Sequence, residues 1–348
     1  MARAAHDDLD ALSPGEEHAA TSALLCGFIE KIDFGRDMER TLDFLATARQ
    51  AFPNLDEPKA ALVDRSLALA DAALALVKGR HTQKTAAFVR AVFGAAAVTI
   101  PAIDDPLARL RLYIGAGTCA LRSAALAQAD GFFRAAVEEV PDLPAGRALA
   151  AATSPGLASP LPPAMAAAQT DLAVAAQVGA LAAALVPMPG HPDLGPFYLA
   201  RGLLAALARY AWSPSPAASP ARPRALLSLL PMLHAQAERP IPGRVPGVEA
   251  NDSLYAADAT YGAQLAAVHR GTVEAVVKGV EEAVGAGQRG LAIEVLLELL
   301  EPPLLARCLE VDPASGAALG KALDVLQGLA PQHTAIAGAA ALLHADRK

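Results

Sequence analysis

Residues 57–78 read EPKAALVDRSLALADAALALVK, and this stretch decides the fold class. Leu62, Leu69 and Leu76 recur every seven residues and therefore lie on one face of a helix. A second set with the same interval is polar and forms a narrow stripe: Asp64, Asp71 and Lys78. Because apolar residues occupy most of the remaining surface, we expect this helix to have neighbours on more than one side.

Helical spacing of apolar residues continues on both sides of this stretch, and no long alternation predicts a strand. Upstream, a helix begins near Arg36 and ends before Pro53. Downstream, Phe88, Val92 and Ala95 are in register on a helix over 81–98. The C-terminal third carries two further apolar stripes: Val273, Val276, Val277, Val280 and Val284, then Ile293, Leu296, Leu297 and Leu300. The sequence therefore predicts an all-α fold.

The composition fits closely spaced helices. The 348 residues include 84 Ala and only 4% aromatic residues, which argues against a β-sandwich or barrel. Three widely spaced cysteines without a CxxC motif argue against a disulfide framework and favour a reducing compartment. With a net charge of −7, the chain lacks the excess of Lys and Arg that would neutralise the phosphates of a nucleic acid. No nucleic-acid partner is therefore expected.

One apolar run has nearly the length of a membrane span. Residues 172–188 carry no formal charge, but they are rich in alanine, and Gln177 interrupts them. We therefore expect a buried helix here and no membrane insertion. The first twenty residues hold several acidic side chains and no apolar stretch, so they do not read as a signal peptide.

The segment 113–141 predicts how two helices pack. Its residues occupy positions like those of a tetratricopeptide repeat, where small side chains let antiparallel helices touch and aromatic rings fill the gap. They are Tyr113, Gly117, Ala129, Phe133, Ala136 and Pro141. The pattern does not recur clearly, so we expect an irregular α-solenoid of stacked helical hairpins, HEAT- or tetratricopeptide-like, with Pro/Ser/Ala-rich loops.

These patterns give a simple domain organisation. Residues 1–17 are acidic and expected to be disordered, and 18–348 are expected to form a single α-solenoid domain. Mobile loops are predicted near 142–163, 213–223 and 239–250, where proline, serine and alanine accumulate.

A search for reactive motifs is mostly negative. No GxSxG, HExxH or GxGxxG occurs, and a partial phosphate loop at 316–321 has the wrong glycine spacing. None of the eight histidines has a second ligand at helical spacing, so we expect hydrogen-bonded or surface histidines and no metal site. No cofactor and no catalytic residue are predicted, although an enzyme site assembled from distant residues stays an alternative.

Several polar blocks, taken together, resemble a known family. They are IDFGRDMERTLDF (32–44), KGRHTQKTAAFVRA (78–91), LAQADGFFRAAVEEVP (126–141), HPDLG (191–195) and NDSLY (251–255). The residues of these blocks and their order along the chain are similar to those of the C-terminal half of the vacuolar protein sorting 35-like subunit. That subunit is the scaffold of the retriever complex within the Commander assembly. The resemblance covers about 32–261.

This resemblance implies a non-catalytic α-solenoid scaffold that recycles membrane cargo from endosomes to the plasma membrane. The implied partners are a phosphoesterase-fold small subunit related to vacuolar protein sorting 29 and the coiled-coil subunits of Commander. An arrestin-like subunit is expected to bind the N-terminal half of the family, which this chain lacks. The implied location is the cytoplasm, peripherally on endosomes.

Four residues of these blocks are predicted to contact or support a partner: Phe88, Arg90, Asp252 and Tyr255. The helical period of Phe88 also fits a core position, and capping and solvation are simpler explanations for the polar residues. The alternative functions are another all-α interaction scaffold, retromer-like or tetratricopeptide-like, and an enzyme with a scattered site.

Overall fold

A computed structural model describes residues 15–143, 163–213 and 221–345. In these ranges the chain is helical, with no strand and a single isolated bridge between His191 and Gly195. The all-α class is therefore confirmed, and helices stack as hairpins of the kind used by α-solenoids. The chain divides into two compact units.

Unit 1 comprises the described residues up to Glu139 together with Val245–Val248. Its helices are α1 (Gly15–Lys31), α2 (Met38–Ala51), α3 (Asp56–Leu76), α4 (Gln83–Thr99), α5 (Pro106–Arg122) and α6 (Leu126–Glu139), with a 3-10 turn at Ile100–Ala102.

Unit 2 comprises the other described residues, from Val140 onward. Its helices are α7 (Pro163–Leu185), α8 (Tyr198–Arg209), α9 (Ala221–Leu227), α10 (Leu229–Ala237), α11 (Asn251–Leu254), α12 (Tyr261–Gly285), α13 (Arg289–Leu299), α14 (Pro302–Val311), α15 (Gly316–Leu329) and α16 (Ala335–Ala345), with 3-10 turns at Val140–Asp142 and Pro313–Ser315.

Helix α3 is the central element of unit 1, as its sequence predicts. It packs against α1, α2, α4 and α5, and Leu62 and Leu69 are buried. The third leucine of that stripe, Leu76, is 68% exposed because the helix ends there. Gly79 follows with φ +80° and donates its N–H to the Leu74 carbonyl at 3.0 Å, which closes the last turn in the left-handed conformation that glycine favours.

The α5–α6 hairpin has the close packing that its tetratricopeptide-like spacing predicts. Gly117 lies against the ring of Phe133, which is fully buried. A Cβ atom on Gly117 would come within 2.6 Å of that ring. The absence of a side chain at Gly117 is therefore what lets the two helices approach each other.

The expected domain boundaries need one correction. Residues 1–14 lie outside the described residues, but 15–17 are helical and not disordered, since they form the first turn of α1. Glu16 and Glu17 lie in that turn, where carboxylates interact favourably with the helix dipole. The prediction of a single domain over 18–348 stays a prediction beside the division into two compact units.

Two of the predicted loops fall largely outside the described residues, which exclude 144–162 and 214–220. The third, near 239–250, is described and contains no helix. Its Ile241 side chain is buried, and the Ile241 N–H donates to Asp252 Oδ2 at 3.3 Å. The mobility of this loop stays a prediction, but both features anchor its first residues within unit 2.

Two helical segments have the length and hydropathy of a membrane span, Gln83–Ala102 and Met165–Leu185. Both contribute to protein cores: Val92 and Phe93 are buried in unit 1, and Val178 and Leu181 are buried in unit 2. Burial of the second segment agrees with the helix expected over 172–188.

Candidate functional site

Two of the blocks that carry the family resemblance, HPDLG and NDSLY, meet in unit 2. The Gly190 N–H, just before the first block, donates to Asn251 Oδ1 at 2.7 Å. The Tyr255 hydroxyl donates to the His191 carbonyl at 3.4 Å. We call the surface and contacts formed by 190–195 and 251–255 the junction. It joins segments about sixty residues apart in the chain.

Buried side chains next to the junction form a hydrogen-bond network centred on Gln236. Asn251 Nδ2 donates to Gln236 Oε1 at 3.1 Å, and Gln236 Nε2 donates to the Val186 carbonyl at 2.6 Å. The Tyr261 hydroxyl lies 2.9 Å from the Gln236 carbonyl oxygen and 3.0 Å from its Oε1. Gln236 and Asn251 are almost fully buried, so these bonds replace the water that both amides lose on folding.

Gly190 is required by this arrangement. A Cβ at this position would lie 2.5 Å from Pro196 Cα and 2.7 Å from the Tyr255 hydroxyl oxygen. Because the first of these atoms belongs to the backbone, it has no rotamer with which to move away. The junction therefore depends on a backbone approach that glycine alone permits.

The structure brings together two of the four predicted partner-contact residues, Asp252 and Tyr255. Asp252 forms an ion pair with Arg244 and accepts the Ile241 N–H, so it anchors the preceding loop. The Tyr255 ring stacks on Tyr261 with centroids 5.9 Å apart, and burial raises the pKa of its hydroxyl. Both residues make contacts within the chain that hold the junction together. A direct contact with a partner stays a prediction for each.

The other two predicted residues, Phe88 and Arg90, lie in unit 1. Phe88 is half-buried and packs against the hydrophobic core of α1–α3, as its helical period indicates. Arg90 is exposed and lines a groove with His81 and Ser123. Capping explains the neighbouring polar residues, because Thr82 and Thr85 form a capping box at the start of α4.

The surface of the junction is apolar at two points. Leu194 and Leu254 belong to the two joined blocks and are 47% and 46% exposed. Leu254 adjoins Tyr255, which the contacts above hold in place, and the Leu194 carbonyl accepts a hydrogen bond from Arg201 at 2.9 Å. The junction therefore exposes two leucine side chains beside hydrogen-bonded backbone segments, and exposed apolar residues of this kind can act as anchors in a protein interface.

A second cluster in unit 2 is not evident from the sequence. No histidine has a second ligand at helical spacing, but His234 of α10, His269 of α12 and Cys308 of α14 are buried side by side. Burial lowers the pKa of His234 to about 4 and that of His269 to about 4, and it raises the pKa of the Cys308 thiol to about 12. The two histidines are hydrogen-bonded, as expected, and the absence of a metal site stays a prediction. Their convergence was not evident because helical spacing relates donors on one helix, whereas these donors lie on three.

The comparison with protein families agrees with the resemblance carried by the sequence blocks. Residues 1–304 match the VPS35L C-terminal domain. The chain belongs to this family. The match extends beyond the 32–261 expected from the blocks and includes the whole junction.

Three relatives of the VPS35L C-terminal domain family show the degree of similarity. A VPS35 endosomal protein sorting factor-like protein of Dictyostelium discoideum is 32% identical over 275 residues, 79% of this chain and 26% of the relative. The Homo sapiens protein of that name is 31% identical over 256 residues, 74% and 25%. The Drosophila melanogaster protein is 30% identical over 294 residues, 84% and 29%.

The chain thus spans about a quarter of the length of the curated relatives it matches. Among solved structures, a circular tandem repeat protein with novel repeat topology covers 98% of this chain and 70% of its own, at 15% identity and a TM-score of 0.41. Within the VPS35L C-terminal domain match lie the junction, His234 and His269, whereas Cys308 lies beyond its end at residue 304.

Proposed function

We propose that this chain is a non-catalytic scaffold in endosomal protein sorting, as part of a retriever-type complex that recycles membrane cargo to the plasma membrane. Its family membership and the names of its relatives support this role. Stacked helical hairpins support it as well, because such folds present long side-chain surfaces to partners without needing a central pocket.

The proposed partner of the junction is a small phosphoesterase-fold subunit of the vacuolar protein sorting 29 type. The observation that carries this assignment is the exposure of Leu194 and Leu254 on two blocks that hydrogen bonds fix to each other. Partners of a scaffold gain most of their binding energy from a few such anchors that become buried. Coiled-coil subunits of Commander are proposed to bind other surfaces of the same chain.

A role as an enzyme receives less support. His234, His269 and Cys308 converge, but all three are buried, so no substrate reaches them without unfolding of their surroundings. We propose that the chain functions in the cytoplasm, peripherally associated with endosomes. Contact with an arrestin-like subunit would require sequence outside this chain.

Co-expression with the small subunit tests the proposal. The wild-type chain is expected to co-purify with it through an interface of roughly 1,200 Å² or more. Leu254→Asp places a charge at the junction and is expected to abolish co-purification, since an unpaired carboxylate would be buried in the interface. The matched control is Leu76→Asp in unit 1, which is also an exposed leucine at a helix end and should leave binding intact.

Circular dichroism of both variants establishes that they fold. Loss of the complex in Leu254→Asp but not in Leu76→Asp supports docking at the junction. Equal binding by all three proteins would refute docking at the junction. Failure of the wild-type chain to co-purify would refute the partner itself.

A further inference from the structure

The buried cluster of His234, His269 and Cys308 has the composition of a transition-metal site. The two Nε2 atoms are 3.2 Å apart, and Cys308 Sγ lies 3.7 Å from His234 Nε2. All three ligand atoms lie within 4.8 Å of one another, and the side chains come from three different helices of unit 2. Cys308 and His269 are fully buried, and His234 is 7% exposed.

Two of the three separations are close to the edges of a zinc coordination tetrahedron, His234–His269 and His234–Cys308. Zinc binds imidazole nitrogen at about 2.0–2.1 Å and thiolate sulfur at about 2.3 Å. At the tetrahedral angle, two nitrogen ligands are then about 3.4 Å apart, and a nitrogen and a sulfur ligand about 3.6 Å apart. The His234–His269 and His234–Cys308 distances of 3.2 and 3.7 Å differ from those values by only a few tenths of an ångström, and the third pair, His269 and Cys308, lies within 4.8 Å.

The hydrogen bonds around His269 fix its tautomer, that is, which ring nitrogen carries the proton. Its Nδ1 lies 3.3 Å from Ser315 Oγ, and the Ser315 hydroxyl donates its proton to Asp312 Oδ2 at 2.8 Å. With that proton committed, His269 Nδ1 must be the donor to Ser315. In the neutral ring Nε2 then carries a lone pair that points to His234, the arrangement that metal-binding histidines have when their second nitrogen is held by a hydrogen bond.

No single arrangement of protons satisfies both the His234–His269 contact and the Cys308–His234 contact as hydrogen bonds. A proton on His234 Nε2 can be donated to His269, but His234 then has no lone pair there to accept the Cys308 thiol proton. If instead the thiol donates to His234, two nitrogen lone pairs face each other at 3.2 Å. The first arrangement leaves only the weakly donating Cys308 thiol without an acceptor at His234, and a cation shared by all three atoms would use a lone pair of each.

We propose that His234, His269 and Cys308 bind one zinc ion through Nε2, Nε2 and Sγ, with a water molecule as the fourth ligand. When the ion binds, the Cys308 thiol releases its proton to solvent and binds as thiolate. Neutral imidazole and thiolate are ligands that zinc prefers, whereas magnesium and calcium prefer oxygen. Both imidazoles are neutral at pH 7, since burial lowers the pKa of each to about 4.

Such an ion would link α10, α12 and α14 within unit 2. Ser315 and Asp312 would act as positioning residues, because they orient His269 without touching the ion. Arg270 holds Asp312 in turn through two hydrogen bonds of 2.9 and 3.0 Å. Because metal binding is coupled to folding, the ion would stabilise the folded chain.

The test uses the full chain, purified without a polyhistidine tag and dialysed against zinc-free buffer. Mass spectrometry of the metal content is expected to find one zinc ion per chain. After exchange for cobalt, the visible spectrum should show tetrahedral bands and a sulfur-to-cobalt charge-transfer band. Cys308→Ala should lose that band, while Cys119→Ala, which removes another buried cysteine with a raised thiol pKa, should keep it.

A second variant tests the positioning residue. Ser315→Ala keeps all three ligands and is expected to weaken zinc binding by about 10–100-fold, as measured by competition with a fluorescent chelator. The proposal is overturned if the wild-type chain holds no more zinc than Cys308→Ala, or if its cobalt spectrum lacks the sulfur band. Should Cys308→Ala fail to fold, the wild-type cobalt spectrum and Ser315→Ala still decide.

Discussion

Gly117 shows how a single missing side chain sets a helix–helix distance. Its position allows no Cβ, since one would lie 2.6 Å from the buried ring of Phe133. Gly117→Ala is therefore expected to force α5 and α6 apart and to lower the free energy of unfolding by about 1–3 kcal/mol. Chemical denaturation followed by circular dichroism measures this change.

Gly131 provides the matched control in the partner helix α6. It is exposed, and a Cβ there would meet no atom within 4 Å. Gly131→Ala should raise the free energy of unfolding by about 0.5–1 kcal/mol, because alanine loses less backbone entropy in a helix. If both variants changed stability in the same direction, the contact with Phe133 would not be the reason for glycine at position 117.

The sequence could indicate the role of Gly117 because its partner Phe133 follows on the next helix in a recognisable hairpin pattern. It could not indicate that the Gly190 N–H donates to Asn251, since nothing in either block specifies a contact across 61 residues. Local spacing carries information about helices that are consecutive in the chain. Contacts between distant segments depend on how the hairpins stack, which spacing does not encode.

At the scale of the element, helix α4 raises the question of whether an apolar helix is part of a protein core or spans a membrane. Phe93 is 1% exposed, whereas Val98 on the same helix is 60% exposed. In a core helix, Phe93→Ala should lower the free energy of unfolding by about 3–5 kcal/mol. Val98→Lys should change it by less than about 0.5 kcal/mol, because the ammonium group stays in water.

The measurement is denaturation of both variants in detergent-free buffer, with sedimentation alongside lipid vesicles as a second readout. A core helix predicts that wild-type chain and Val98→Lys stay in the supernatant. If the wild-type chain sedimented with vesicles and Val98→Lys did not, α4 would be a membrane element. Hydropathy alone does not separate the two outcomes, since α4 exposes apolar residues such as Ala97 and Val98 as well as burying them.

Helix positions were largely predictable from the sequence, and their ends less so. The helix expected over 81–98 begins at Gln83 and ends at Thr99. Its start follows Thr82, whose capping box fixes the first turn more strongly than apolar periodicity does. Leu76 continues a leucine stripe in the sequence but is exposed, because it is the last residue of α3.

At the scale of the whole molecule, the least predictable feature is the convergence of His234, His269 and Cys308. Their separations of 35 and 39 residues follow no helical period, and each residue alone is an ordinary member of an apolar helix. Three helices of unit 2 must stack before these donors become neighbours. A site of this kind is a property of the assembled unit, and sequence motifs do not reveal it.

Partner binding at the junction should stabilise unit 2 as a whole. Ligands that bind the folded state alone shift unfolding by about 2.7 kcal/mol at one hundred times their Kd. Trp212 is the chain's single tryptophan and lies in unit 2, where its ring meets Tyr210 with centroids 4.6 Å apart. Its fluorescence therefore reports unfolding of the unit that contains the junction.

With the small subunit in that excess, preferably in a form without tryptophan, the urea midpoint of the wild-type chain should rise. Leu254→Asp should show no rise, because its folded state no longer binds the subunit. Leu76→Asp should respond as the wild-type chain does. An equal rise in all three proteins would mean that the subunit stabilises unit 2 from another surface, and the assignment of the junction as its docking site would then be wrong.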